Sequence, residues 1–189
     1  MNLFPRLETD CLILSELQTT DIDRIIMYAS NRRVSEYTIN IPFPYSEKDA
    51  LYWVNSAYQG FNSRTQFIFA IRLKEQGDFI GGIGVTLTPQ NLRAEIGYWL
   101  AEPFWNKGIM TEATKAVIEF AFNTLGVNKL TASHLQINSA SGQVMMKCGM
   151  YKEGILKEHI FKNAVFHSLV VYGLTKTDYE QQLLSSNRK

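Results

Sequence analysis

The chain has 189 residues, which suits one hydrophobic core, and we expect a single domain over residues 1–189. Its 19 basic and 18 acidic residues leave a formal net charge of +1, so no strong field of one sign favours a nucleic acid or an anionic membrane as a partner. Cys11 and Cys148 fit neither a disulfide framework nor a metal-ligand spacing, and no apolar run is long enough to span a bilayer. We therefore expect a soluble, unprocessed protein of the reducing cytosol.

Apolar spacing predicts a short strand, two helices and then a mixture of further strands and helices. Residues 11–14 suit the first strand, Thr20 has the features of a helix start, and Ser46 begins a second helix after a proline-rich loop. Alternation then predicts three antiparallel strands and later three more, at residues 66–73, 79–87, 94–100, 129–136, 151–160 and 166–174. Among these strands, a packed helix begins at Thr111 and a short helix covers residues 139–147.

The segment 105–110 connects a predicted strand to the packed helix. A helix N-terminus carries unpaired N–H groups and a partial positive charge, so a tight turn at this place is a natural phosphate site. Gly108 lets the backbone approach a ligand, Lys107 adds a cation, and Thr111 adds a hydroxyl. Neither GxxxxGK[ST] nor GxGxxG is present here, which disfavours a nucleotide hydrolase or a dinucleotide-binding site. An ordinary capped turn is the alternative interpretation.

The flanks of this loop favour a more specific interpretation. They carry E-I-G-Y-W-L at 95–100, W-N-K-G-I-M-T-E-A at 105–113, N-S-A-S at 138–141 and K-C-G-M at 147–150. Together these motifs resemble the GNAT N-acetyltransferases, and L-E-T at 7–9 is similar to the ribosomal-protein N-terminal acetyltransferase (RimJ/RimL-type) branch. The resemblance covers residues 7–174. It implies an α+β fold with a central, mostly antiparallel twisted sheet of six to seven strands flanked by helices, and acetyl transfer from acetyl-CoA, a co-substrate, to an amine without a metal.

The resemblance also implies which residues bind acetyl-CoA. They are Trp99, Leu100, Asn106, Lys107, Gly108, Ile109, Met110, Thr111 and Asn138. Met110 is larger than the small residue that the family usually has there, so we expect its side chain to point away from the pyrophosphate. Gly97, inside an apolar strand, suggests a bulge that would free backbone groups for the pantetheine arm.

Glu95 and Ser141 are the implied catalytic residues. Glu95 is the candidate general base for the amine, and its alternative role is that of an exposed carboxylate paired with a neighbour. Many family members place an acidic tyrosine four residues before the helix-ending glycine, but this chain has Met145 there. Ser141 is therefore the candidate acid for the leaving thiolate, and its alternative role is to cap the helix. Some members of the branch have a glutamate where this chain has Ile160. Glu158, two residues earlier and therefore expected on the same strand face, is either a substitute or simply exposed.

The loop 37–45 is the candidate acceptor pocket, because prolines stiffen it and its aromatic side chains cannot all enter a regular core. No acidic cluster marks it for a polycation, so the expected acceptor is an amine-bearing small molecule or a protein N-terminus, including that of a ribosomal protein. A catalytically silent acyl-CoA-binding or interaction module is an open alternative, which the departures at Met110, Met145 and Ile160 favour. A nucleotide-binding domain is a third interpretation, and a homodimer is left open.

Overall fold

Eight strands form one sheet in residues 3–186, the part of the chain that the computed structural model describes. They are β1 Leu7–Glu8, β2 Leu12–Glu16, β3 Gln66–Leu73, β4 Phe79–Thr88, β5 Arg93–Leu100, β6 Lys129–Leu135, β7 Tyr151–Lys162 and β8 Val165–Thr175. Across the sheet their order is β1-β2-β3-β4-β5-β6-β8-β7. All neighbouring strands are antiparallel except β5 and β6, which run parallel. A parallel pair requires a crossover, and a helix supplies it here.

Six helices accompany the sheet within these described residues. They are α1 Ile22–Ala29, α2 Arg32–Tyr37, α3 Glu47–Asn62, α4 Ile109–Asn123, α5 Ser139–Lys147 and α6 Lys176–Ser186. None of them is long and apolar enough to cross a membrane. The crossover between β5 and β6 is α4.

Both faces of the sheet are packed with apolar side chains. Along β3, Phe69 and Ile71 join the larger core, which α4 and α5 complete, whereas Ala70 joins a smaller core with α1 and α3. Successive strand residues point to opposite faces, so the two cores lie on the two sides of the sheet. The N-terminal helices and the helices α4 and α5 therefore approach any site in the sheet from opposite directions.

The predicted α+β class is confirmed, and the sheet has one strand more than the six to seven expected. The additional strand is β1, in which Leu7 pairs with Leu14 and Glu8 with Ile13. Two residues are too few for an alternation pattern, so its pairing could not be predicted. The helices α2 and α6 were also missed. The six residues of α2 complete fewer than two turns, and the Asn31 side chain caps its start.

Candidate functional site

The two parallel strands separate in the middle of the sheet. β5 pairs with β6 only as far as Ile96, which lies opposite Ala132. Beyond that point, β5 continues to Leu100 along β4, and β6 continues to Leu135 along β8. The edge of β5 at residues 97–100 therefore has no strand partner on the side of β6, and those backbone groups that point to that side face a gap.

The bulge predicted at Gly97 is wrong. β4 and β5 stay in continuous register from Arg93 to Leu100, including the pair Gly84 and Gly97. The backbone edge is free because β5 leaves β6, which is a property of the pairing and not of an inserted residue.

The loop before α4 has the geometry of an anion site. Gly108 is the N-cap residue, with a left-handed φ of 80°, and no side chain caps the first turn of the helix. The N–H groups of that turn have no partner within the helix, and the space next to the Gly108 Cα is open. α4 begins at Ile109, two residues before the predicted Thr111, because Gly108 itself makes the turn.

Apolar side chains anchor the end of this loop in the protein core. Ile109 and Met110 are 9% and 8% exposed and pack in the larger core. The Met110 side chain thus points into the protein, as expected. Asn106, Lys107 and Gly108 are exposed, and the Lys107 ammonium lies 5.6 Å from the centre of the Phe104 ring. The backbone of the loop and one cation therefore face outward.

Tyr37, at the end of α2, joins the loop to Asn138. Its ring lies 5.9 Å from that of Trp105, whose indole Nε1 donates to the Leu100 carbonyl at 2.7 Å. The Tyr37 carbonyl accepts from Asn138 Nδ2 at 2.8 Å, and Asn138 Oδ1 accepts from the Ser141 N–H at 3.2 Å. Asn138 thus caps α5, and its amide nitrogen is engaged within the protein. Tyr37, expected in the acceptor pocket, instead connects two predicted cofactor elements.

Thr111 and Glu112 have mainly structural contacts. The half-buried Thr111 accepts a hydrogen bond at its carbonyl from the Cys148 thiol at 3.5 Å. Glu112, an acid in the first turn of α4, accepts from Thr9 Oγ1 at 2.5 Å and from the Cys11 N–H at 2.8 Å. These bonds fasten the start of α4 to the β1–β2 turn. The glutamate of the motif therefore positions the helix from which the loop projects.

The predicted base and acid lie on opposite faces of β5. Glu95 is exposed, lies 3.4 Å from Ser133 Oγ, and has no ion pair among the described residues. Trp99 shares its face and packs on Trp53 of α3, with the ring centres 5.8 Å apart. Ser141, 7% exposed, belongs to α5 on the other side. The side chains of Trp99 and Leu100 are packed in the protein, and the Leu100 carbonyl already accepts from Trp105 Nε1.

A family model described as acetyltransferase (GNAT) domain matches residues 12–151. The chain belongs to the GNAT acetyltransferase family. It is 29% identical over 152 residues to the uncharacterized N-acetyltransferase YoaA of Bacillus subtilis (strain 168), a match that covers 80% of this chain and 85% of YoaA.

Two solved structures are similar to the fold of this acetyltransferase. RimL, a ribosomal L7/L12 alpha-N-protein acetyltransferase in complex with coenzyme A, has a TM-score of 0.82 at 19% identity, covering 90% of this chain and 98% of RimL. The microcin C7 self-immunity acetyltransferase MccE, in complex with acetyl-CoA and AMP, has a TM-score of 0.78 at 19% identity, covering 88% of this chain and 93% of MccE. At these identities the likeness is one of fold.

Tyr98 is a polar residue of this GNAT site that the sequence analysis missed. Its hydroxyl oxygen lies 2.8 Å from Ser141 Oγ and 3.1 Å from the Ser141 carbonyl oxygen. Burial raises the pKa of Tyr98 far above its usual range, against a lowering contribution from the Ser141 hydrogen bond. The signal was available in strand alternation, since Tyr98 lies three residues after Glu95 and must face the opposite side.

His134 is a second buried group of the acetyltransferase that sequence reasoning left without a role. It is 6% exposed; its Nδ1 lies 2.8 Å from the Leu135 carbonyl, and Nε2 has no hydrogen-bond partner in the described structure. Burial lowers the pKa of His134. A Cβ on Gly142 would lie 2.7 Å from His134 Nε2 and 2.9 Å from the Tyr172 hydroxyl, so only glycine lets α5 approach β6 this closely. Within residues 3–186, no group of three His, Cys, Asp or Glu could hold a metal ion.

The expectation that Glu158 shares a strand face with Ile160 is wrong. The pairing of β7 with β8 shifts register between Leu156 and Ile160, and Glu158 has a left-handed φ of 49°. Its N–H donates to Ser168 Oγ at 3.1 Å, and its side chain is exposed. Simple alternation does not apply across such an irregularity.

Lys162, at the end of β7, fastens the loop that follows α2. Its ammonium donates to the carbonyl oxygens of Ser35, Thr38 and Ile41 at 2.8, 2.7 and 2.8 Å. Burial lowers the pKa of Lys162. A cavity of about 300 Å³ lies beside this contact and is lined by Arg32, Ser35, Glu36, Phe43 and Asn163. The proline-containing loop is therefore held to the β7–β8 hairpin next to an open volume.

Proposed function

We propose that this acetyltransferase moves the acetyl group of acetyl-CoA to a primary amine. One observation carries the proposal: the uncapped N-terminus of α4 stands next to the gap between β5 and β6, with Glu95 and Ser141 on its two sides. Such an arrangement offers an anion site, a free strand edge and two groups able to transfer protons.

The residues present fit acetyl-CoA. The backbone N–H groups of the first turn of α4 suit a pyrophosphate, since no side chain occupies them and the space beside Gly108 is open. We assign the pyrophosphate to the loop residues Asn106, Lys107, Gly108, Ile109, Met110 and Thr111. We assign the pantetheine arm to the backbone edge at Trp99 and Leu100 and to Asn138, whose side chain bonds the Tyr37 carbonyl and the Ser141 N–H.

The proposed base and the proposed acid lie on different faces of β5. Glu95, on the face of the N-terminal helices, accepts a proton from the incoming amine, directly or through a water molecule. Ser141, on the face of α5, donates its hydroxyl proton to the leaving sulfur. A backbone N–H at the free edge of β5 polarises the carbonyl between them. The amine thus reaches the carbonyl carbon from one side of β5, and the sulfur leaves toward the other side as the carbon–sulfur bond breaks.

For the acceptor, we propose the α-amine of a protein N-terminus, including that of a ribosomal protein. The LET triplet at 7–9 and the likeness to RimL support this class, and the cavity beside Phe43 has room for the first side chain of a peptide. We propose that residues 1–189 act as one domain in the cytosol, where the free thiols of Cys11 and Cys148 stay reduced.

Thiol release from acetyl-CoA tests the activity, with alanine-starting and serine-starting peptides, free lysine and small amines as acceptors. We expect turnover with a peptide N-terminus, a loss of about a hundredfold in Glu95→Gln and Ser141→Ala, and near wild-type rates in the exposed controls Glu119→Gln and Ser139→Ala. Absence of turnover on the whole panel, together with thermal stabilisation by CoA, would instead identify a silent acyl-CoA-binding module. Stronger stabilisation by ATP than by CoA would identify a nucleotide-binding domain.

A further inference from the structure

The hydroxyl groups of Tyr98 and Ser141 form a direct pair. With 2.8 Å between the two oxygens, either hydroxyl can donate to the other. The phenol proton has two acceptors on Ser141, Oγ at 2.8 Å and the carbonyl oxygen at 3.1 Å, and the shorter contact together with the greater acidity of a phenol favours donation from Tyr98 to Ser141 Oγ. In that orientation the proton of Ser141 is not used within the pair and is available to a third group.

This pair lies where the strands divide. Tyr98 comes two residues after Ile96, the last residue of β5 that pairs with β6. Its hydroxyl reaches Ser141, in the first turn of α5, 43 residues later in the chain. The contact therefore spans the gap that the proposed function assigns to the thioester.

The helix α5 itself supplies no phenol to this gap. Met145, at the position where the family often has an acidic tyrosine, is 1% exposed and carries no transferable proton. Tyr98 brings a phenol to the same helix from a different element. Burial raises the pKa of Tyr98, so that this phenol keeps its proton throughout the neutral range and is protonated before each turnover.

We propose that Tyr98 is the positioning residue that supplies the proton of Ser141 during acetyl transfer, an inference that rests on the proposed function. As the carbon–sulfur bond breaks, the sulfur takes the hydroxyl proton of Ser141, and Ser141 Oγ takes the phenol proton of Tyr98. Water then returns a proton to Tyr98. The acceptor ammonium loses two protons in the reaction. One balances the proton that the thiol has gained, and the other goes to the solvent.

Removal of the Tyr98 hydroxyl is the first test. In Tyr98→Phe we expect the single-turnover rate of acetyl transfer to fall about tenfold to a hundredfold, with the Kd for acetyl-CoA within about twofold of wild type. Ser141→Ala should show a similar fall, and the double variant should be no slower than the slower single variant, because the two hydroxyls act as one unit. Tyr172→Phe is the matched control, since it removes a buried hydroxyl near Gly142 and should keep the wild-type rate.

Fluorotyrosines at position 98 separate proton supply from packing and remain usable if Tyr98→Phe does not fold. Fluorination lowers the phenol pKa while nearly keeping the ring shape. We expect the single-turnover rate at neutral pH to rise stepwise from tyrosine to 3-fluorotyrosine to 3,5-difluorotyrosine, because proton supply by the phenol follows its acidity. An equal rate in all three proteins, or a wild-type rate in Tyr98→Phe, would overturn the inference while the proposed function stands. A wild-type protein without turnover on any amine would overturn both.

Discussion

The phenol oxygen of Tyr98 lies 2.8 Å from Ser141 Oγ, and this contact connects β5 to α5 across the gap in the sheet. No backbone ladder joins the two strands there, so side chains link the two halves of the sheet at this point. Anything that enters the gap must rearrange or use the same hydroxyl groups. This hydrogen bond thus has a structural role and a proposed chemical role, and the two can be measured separately.

Loss of this bond should cost little stability. A hydrogen bond between neutral groups contributes about 1 kcal/mol net, so we expect Tyr98→Phe to lower the free energy of unfolding by about that amount. Urea denaturation followed by circular dichroism measures it. A loss of several kcal/mol would contradict this prediction and would mean that the phenol also holds α5 in place.

Gly108→Ala should weaken the binding of CoA. Alanine at a φ of 80° is strained by about 1 kcal/mol, and relief of that strain would turn the N–H groups of α4 away from the ligand. We expect the Kd for CoA to rise about tenfold by calorimetry, or about 1.4 kcal/mol.

The control for this substitution is Gly126→Ala. Gly126 also has a left-handed φ, 68°, and open space beside it, but it follows the other end of α4. We expect a similar loss of stability with an unchanged Kd for CoA. Equal effects of Gly108→Ala and Gly126→Ala on CoA binding would contradict the assignment of the pyrophosphate to the loop.

Lys162→Met should impair the acceptor side of the reaction. The substitution removes three bonds to carbonyl oxygens and frees the loop after α2, so we expect a several-fold rise in the KM for a peptide acceptor with little change for acetyl-CoA. Lys157→Met, at an exposed position of the same strand, is the control and should behave as wild type. A selective rise in the KM for acetyl-CoA would show that the loop serves the other substrate.

His134 should make the protein less stable in acid. Its pKa is lowered in the folded state, so below about pH 6.5 the unfolded chain takes up a proton that the folded chain excludes. The unfolded state then binds more protons, and the free energy of unfolding falls as the pH decreases. In His134→Gln this part of the slope should vanish, whereas the exposed control His159→Gln should retain it. Parallel stability curves for the wild type and His134→Gln between pH 7.5 and 5.5 would refute the prediction.

The sequence alone determined the features that local physics decides. Alternation and helical spacing predicted seven strands and the order of the main helices, since one buried face imposes its period on each segment. Gly108 before a helix indicated the loop, because a turn with positive φ is a local requirement. The inward direction of Met110 was a condition that the family resemblance set, and the buried side chain agrees with it.

Only the tertiary structure decided where the strands part and which distant groups meet. The end of pairing at Ile96 depends on how β4, β6 and β8 share the sheet, and no residue on β5 encodes it. Tyr98 meets Ser141 over 43 residues, and Lys162 meets the Ser35 carbonyl over 127. Such contacts depend on strand register and on close approaches such as that of Gly142 to β6, which arise when separate segments pack together.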